Sequence, residues 1–225
     1  MLKHDVTKRL HEIGVVPAIR VDYAEDALFA AEAVLRGGIP IVEVTLTVPD
    51  AVDVIAQLVR THPKLLVGAG TVLAPDVAQA CVKAGAHYLT SPGLDTEIAA
   101  FAAREQIAFL AGALTPTEVW AACKAGCDMV KVFPCAQVGG PKYIRALVRP
   151  FPHVPLIASG GVNQHTAAEF IQAGATALGV GSALIPPEAI ENRQADRIHE
   201  LARRFLEAVK TGRAHAHPPH HEDHD

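Results

Sequence analysis

The segment KAGCDMVKVFP (124–134) holds the end of a helix, a glycine and a short β-branched strand, in that order. Glycine in this place suits the left-handed cap that closes a helix before the chain turns into a sheet. The same order returns in KAGAHYLTS (83–91) and QAGATALGVGS (172–182), and Arg36-Gly37-Gly38 repeats the cap ahead of PIVEVTL (40–46). Four more runs complete a set of eight: VVPAIR (15–20), LLVGAG (65–70), IAFLAG (107–112) and PLIASGG (155–161). Each is too short for a buried helix and is rich in Val, Ile or Leu, which predicts strands.

Between the strands lie Ala-rich stretches with helical spacing, among them AEDALFAAEAVLR (24–36), PDAVDVIAQLVR (49–60) and TAAEFIQA (166–173). Pro49-Asp50, Pro75-Asp76 and the run Thr115-Pro116-Thr117-Glu118 read as helix starts. Strand and helix alternating eight times predict an α/β fold: an eight-stranded parallel β/α barrel, preceded by an amphipathic N-terminal helix in MLKHDVTKRLHEIG. A doubly wound open sheet is the alternative. It would more often carry a Gly-rich fingerprint after its first strand, where this chain has VDYAED. One barrel domain is expected over residues 1–211, followed by a His-rich tail (212–225) that is expected to be disordered.

The chain has 225 residues, half of them hydrophobic, enough to bury one large core. A net charge of −4 gives no electrostatic reason to expect nucleic acid as a partner. No run of about 18 apolar residues suggests a membrane span. The first residues lack the apolar stretch of a secretory leader, so the expected location is cytoplasmic. The cysteines (Cys81, Cys123, Cys127 and Cys135) form no CxxC pair and read as buried free thiols without a chemical role.

Three strands carry an ionisable residue among apolar neighbours near the C-terminal end: Arg20, Glu43 and Lys131. That end of a β/α barrel is where catalytic groups collect, because the βα loops surround it. Burying a lone charge costs several kcal/mol, so such residues form either a structural ion-pair network or a site. Chemistry favours the site. Desolvation favours the neutral amine of a lysine, the form that attacks a ketone. Glu43 is then placed to shuttle protons, and Arg20 offers a fork for a carboxylate. Two glycine-rich segments, Ser159-Gly160-Gly161 and Gly179-Val180-Gly181-Ser182, follow the last two strands, where a barrel usually binds phosphate. Gly68-Ala69-Gly70-Thr71 lacks the Lys-Ser/Thr ending of a nucleotide loop and reads as a close-approach turn presenting Thr71.

In this order, VEVTLTVPDA (42–51), VGAGTVL (67–73), SPGLD (91–95), GALTPTE (112–118), VKVFP (130–134), GGPKYIRAL (139–147), SGGV (159–162) and VGSAL (180–184) form a specific series. With them the chain resembles the 2-dehydro-3-deoxy-6-phosphogluconate (KDPG) aldolase family, which includes 4-hydroxy-2-oxoglutarate aldolase activity. The resemblance implies class I aldolase chemistry on a phosphorylated keto acid, no metal or other cofactor, and a homotrimer. It makes Lys131 the Schiff-base lysine and Glu43 the acid/base. Thr71, Pro92 and Phe133 match pocket residues around the pyruvate portion, and Gly160, Gly161, Gly181 and Ser182 match the phosphate end.

Two positions depart from the common pattern. Many members carry a carboxylate-binding Arg where this chain has Thr47. Another branch carries Arg at the end of the first strand, so Arg20 takes that role here. Ser159 stands where gluconate-type members carry Thr and galactonate-type members resemble Val. Its hydroxyl favours the gluconate substrate, with the galactonate epimer and 4-hydroxy-2-oxoglutarate as alternatives. A metal-dependent aldolase would need His and carboxylate ligands gathered at the strand ends, whereas His87 starts a strand and His153 and His165 lie outside the strand runs. A non-catalytic scaffold would have no reason to keep Lys131 and Glu43 buried.

Overall fold

In the computed structural model, which describes residues 2–215, eight strands alternate with helices along the chain. They are β1 (Val15–Ile19), β2 (Ile41–Thr45), β3 (Leu66–Gly70), β4 (Tyr88–Thr90), β5 (Ala108–Ala113), β6 (Met129–Val132), β7 (Leu156–Ser159) and β8 (Ala177–Val180). Each pairs in parallel with the next, and β8 returns to β1 to close the barrel. The open-sheet alternative is thereby removed. Helix α1 (Lys3–Ile13) precedes the barrel, as expected from its amphipathic spacing. The outer ring is α2 (Ala24–Arg36), α3 (Ala51–Thr61), α4 (Pro75–Lys83), α5 (Thr96–Arg104), α6 (Pro116–Lys124), α7 (Pro141–Val148), α8 (Ala167–Gln172), α9 (Pro187–Glu191) and α10 (Ala195–Ala214).

The glycine caps do what their spacing predicts. Gly38, Gly85, Gly126 and Gly174 all have positive φ, between 75° and 103°, and each stands just ahead of a strand. Helix starts are more varied. Thr115 and Glu118 form a reciprocal capping box on α6, in which the Glu118 carboxylate accepts the N–H groups of Thr115 at 2.7 Å and Leu114 at 2.8 Å. Pro75 opens α4 at its first turn. Asp50, by contrast, makes no side-chain cap on α3, because it sits at φ 52° in the left-handed region. α10 runs to Ala214, past the expected domain boundary at 211. The Arg213 guanidinium holds this last turn by donating to the backbone carbonyls of His11 and Glu12. Gly212 packs so tightly on Ile171 that a Cβ would lie 2.7 Å from its side chain. The expected disorder of the His-rich tail otherwise concerns positions 216–225, which lie outside the described residues.

Side chains alternate across each strand, so the register identifies the set that faces the barrel interior. Ala18 lies beside Glu43, Glu43 beside Gly68, and Gly68 beside Tyr88. On the far side Gly112 lies beside Lys131, then Ile157, then Ala177. The interior is filled, as a small barrel requires. Tyr88 is fully buried, its ring occupies the space a Gly68 Cβ would need, and its hydroxyl donates to Val42 O at 2.9 Å. Burial, followed by the charge of Glu43, pushes the Tyr88 phenol well above its usual pKa, so it stays a neutral donor. GAG (68–70) is therefore not a turn. Its glycines belong to β3 and Thr71 follows at φ 60°, while the expected close approach is made within the strand by Tyr88 and Glu43.

Candidate active site

β2 and β6 face each other across the barrel and bring Glu43 and Lys131 into contact, with Nζ 3.4 Å from Oε1. The side chains are 4% and 13% exposed, so the pair is nearly dry. Gly70 makes room for it, since a Cβ there would stand 2.3 Å from Glu43 Oε1. Lys131 Nζ also lies over the Phe133 ring, 5.9 Å from its centre, within the range where a cation is attracted to an aromatic face.

Above the pair opens a cavity of about 690 Å³ at the C-terminal ends of the strands, a size typical of small-molecule sites. It gathers nine of the expected residues: Arg20, Glu43, Lys131, Phe133, Ser159, Gly160, Gly161, Gly181 and Ser182. Thr71 and Pro92 do not line it. They lie just past the ends of β3 and β4, and the Pro92 backbone crosses Gly112 so closely that a Cβ there would sit 2.0 Å from it. Gly112 is in turn the register neighbour of Lys131. Thr71, a β-branched residue at φ 60°, is in a strained conformation of the kind that collects at functional sites.

Arg20 is not a buried charge. It lies one residue past β1, exposed at the cavity mouth, where side chains meet water. Its Nη1 is 3.4 Å from Thr47 Oγ1, which in turn bonds Thr45 Oγ1 at 2.8 Å. The β1 and β2 ends therefore present one cationic corner to the cavity.

Gly160 and Gly161 have φ of 86° and 84°, and Cβ atoms there would strike Pro134 and Ala136. The Gly160 carbonyl accepts from Ala136 N–H at 3.0 Å, and that of Gly181 from Leu184 N–H at 2.9 Å. With these carbonyls turned into the protein, a small anion can approach the N–H side of both segments. Cys135 Sγ also reaches Gly160 O at 3.5 Å, and burial pushes this thiol up to about 11. Cys81 and Cys135 are buried, whereas Cys123 and Cys127 are only half-buried.

The sequence reading missed the acidic side of the cavity: Asp22, Tyr23, Asp26 and Glu191. Asp26 is engaged with Arg193 at 2.8 Å. Asp22 and Tyr23 follow Arg20 with only Val21 between, so placement just past the strand end would have suggested them. Among the described residues, no group of three or more His, Cys, Asp or Glu side chains is arranged to hold a metal ion. His87 accepts a hydrogen bond from Val67 N–H at 3.1 Å, and burial lowers its pKa. No described helix is long and apolar enough to cross a membrane.

Comparison with known proteins agrees with this geometry. The family model for KDPG and KHG aldolase matches residues 6–201. The KHG/KDPG aldolase of Escherichia coli K12 is 34% identical over 196 residues, covering 87% of this chain and 92% of that one. The 2-dehydro-3-deoxy-phosphogluconate aldolase of Pseudomonas aeruginosa is 30% identical over 204 residues, covering 91% and 93%. Among solved structures, KDPG aldolase from Legionella pneumophila, with pyruvate captured as a covalent carbinolamine intermediate, superposes with a TM-score of 0.82. It is 33% identical, and the match covers 88% of this chain and 96% of that one.

Proposed function

The chain belongs to the KDPG and KHG aldolase family of class I aldolases, and from that premise we propose that it cleaves 2-dehydro-3-deoxy-6-phosphogluconate to pyruvate and glyceraldehyde 3-phosphate through an imine on Lys131. The observation that carries the reading is the contact of Lys131 Nζ with Glu43 Oε1 at 3.4 Å, nearly buried at the base of the cavity. Proton transfer across this contact frees the amine to add to the C2 ketone. The carbinolamine loses water to give a protonated imine, which draws in the electron pair of the breaking C3–C4 bond. Glu43, through a water, takes the C4 hydroxyl proton as the aldehyde leaves. It then returns a proton to C3 of the pyruvate enamine before hydrolysis frees Lys131.

Arg20 binds the substrate carboxylate from the cationic corner and Phe133 flanks the pyruvyl group, with Thr71 and Pro92 supporting that end of the site from beyond β3 and β4, outside the cavity lining. Gly160, Gly161, Gly181 and Ser182 take the phosphate on backbone N–H groups. The Ser159 hydroxyl supports the gluconate substrate over its galactonate epimer. The test is kcat/KM for both epimers and for 4-hydroxy-2-oxoglutarate, with Lys131→Ala as control. The gluconate is expected to be cleaved best and the variant to be inactive. Full activity of Lys131→Ala would end the scheme, and a preference for either other substrate would reassign it.

A homotrimer acting in the cytoplasm completes the reading. Leu73 and Trp120, 64% and 54% exposed, offer apolar surface for subunit contact. Light scattering on the eluting protein should give three times the chain mass of 23.8 kDa.

A further inference from the structure

Among the described residues, two buried side-chain polar atoms find no hydrogen-bonding partner in the protein: His199 Nε2, and Thr90 Oγ1 in the barrel wall. Thr90 is fully buried at the end of β4. A buried hydroxyl without a partner costs about 1–3 kcal/mol, and nothing in the packing of β4 requires one, since Val has the same shape.

Its position gives it a use. Tyr88 faces the barrel interior, so Thr90, two residues on, faces it too. Interior side chains of a β/α barrel stack in layers of four drawn from alternate strands, stepping about one residue per strand because the strands tilt. From Glu43 on β2 the register leads through Gly68 to Tyr88 on β4, and the tilt carries the layer on to Thr90. From Lys131 on β6 it leads back through Gly112, whose β4 neighbour is two residues beyond Thr90, so the same tilt again selects Thr90. In the other direction it runs through Ile157 and Ala177 to Gly179 on β8. Glu43, Thr90, Lys131 and Gly179 are thus one layer. Three of them line the cavity, and Thr90, buried behind that lining, completes the layer on the β4 side between the strands of the acid and the amine. Gly179 leaves the β8 side of the layer open for the substrate chain, and Thr90 on β4 faces it across the barrel.

We propose that Thr90 is a positioning residue for the imine-forming step. Its hydroxyl holds the oxygen that begins as the C2 ketone oxygen, becomes the carbinolamine hydroxyl and leaves as water. Nitrogen adds to C2, the π pair moves to this oxygen, and the proton that the adding nitrogen gives up makes it a hydroxyl. The nitrogen lone pair then forms C=N⁺ while the oxygen departs with a second proton from Glu43. Hydrolysis runs the same steps backwards, and Thr90 holds the incoming water. This inference rests on the proposed imine at Lys131.

The direct readout is exchange of ¹⁸O from labelled water into the C2 carbonyl of pyruvate, above the uncatalysed rate, for wild type, Thr90→Val and Thr90→Ser. Thr90→Val should slow exchange and kcat about tenfold, the worth of one hydrogen bond in the transition state, with KM little changed and Tm no lower than wild type. Thr90→Ser should restore both rates. Exchange and kcat at wild-type level in Thr90→Val would overturn the proposal. So would a Thr90→Ser variant as slow as Thr90→Val, since the methyl group and not the hydroxyl would then matter. Wild-type protein that exchanges no ¹⁸O and traps no pyruvate with borohydride would instead refute the imine itself.

Discussion

Gly70→Ala adds one methyl group to β3 beneath the candidate nucleophile. The backbone at Gly70 is not left-handed, so alanine fits the strand conformation, and the whole effect comes from the new Cβ. That atom would stand 2.3 Å from Glu43 Oε1 and 2.6 Å from both Cδ and Cγ. Ordinary contact needs about 3.5 Å, so the carboxylate has to retreat by roughly 1 Å. Glu43 is 3% exposed and Lys131 stands in front of it, so the shift breaks the 3.4 Å contact. A misplacement of about 1 Å costs on the order of 100-fold in rate. Overpacking a filled interior costs about 1–3 kcal/mol, which lowers Tm by about 2–12 °C in a chain of this size. The assay is steady-state cleavage of the phosphogluconate substrate at a temperature where circular dichroism shows the variant folded. A folded Gly70→Ala enzyme with kcat within twofold of wild type would refute the role given to Glu43.

Arg20→Ala should raise KM about tenfold, the low end for an exposed charge-assisted hydrogen bond, and leave kcat nearly unchanged; an unaltered KM would move carboxylate binding elsewhere. Thr115→Ala removes the α6 cap and should lower stability by about 1 kcal/mol in denaturant titration. The N–H groups of Thr115 and Leu114 hold the Glu118 carboxyl below its usual range. Its contribution is therefore present above the unfolded pKa of about 4.3 and fades as pH falls through the lower folded value. Glu118→Gln should accordingly lower Tm at pH 7, by a gap that narrows on acidification; a gap independent of pH would contradict the capping assignment. Cys135, a buried thiol pushed up to about 11, should resist thiol reagents at pH 8 in the folded protein and react once unfolded.

The barrel was legible because its signals are local. Each Gly-capped helix end precedes a short β-branched run, and Gly85, Gly126 and Gly174 have the positive φ that this pattern requires. Lys131 and Glu43 were legible because a charge inside an apolar strand needs a partner, and the closed sheet supplies it. Arg20 looked the same in sequence, but it sits one residue beyond β1, and that single step puts it in water. Asp22 and Tyr23 sit in a loop, which shows no periodicity, and Glu191 ends α9; only the folded chain brings that helix end and the β1 end to one cavity. GAG looked like a turn because glycine permits turns, whereas here its missing Cβ atoms admit Tyr88 and Glu43 from neighbouring strands. Pairing across strands, as at Thr90, depends on register and tilt, which a one-dimensional pattern does not carry.

The central claim is that Lys131 forms an imine with the keto acid. Incubation of the folded protein with pyruvate and sodium borohydride, followed by intact-mass spectrometry and peptide mapping, tests it most directly. The account predicts a single pyruvate-derived adduct on the peptide carrying Lys131, absent from Lys131→Ala. No adduct, or an adduct on another lysine of folded wild-type protein, would contradict it.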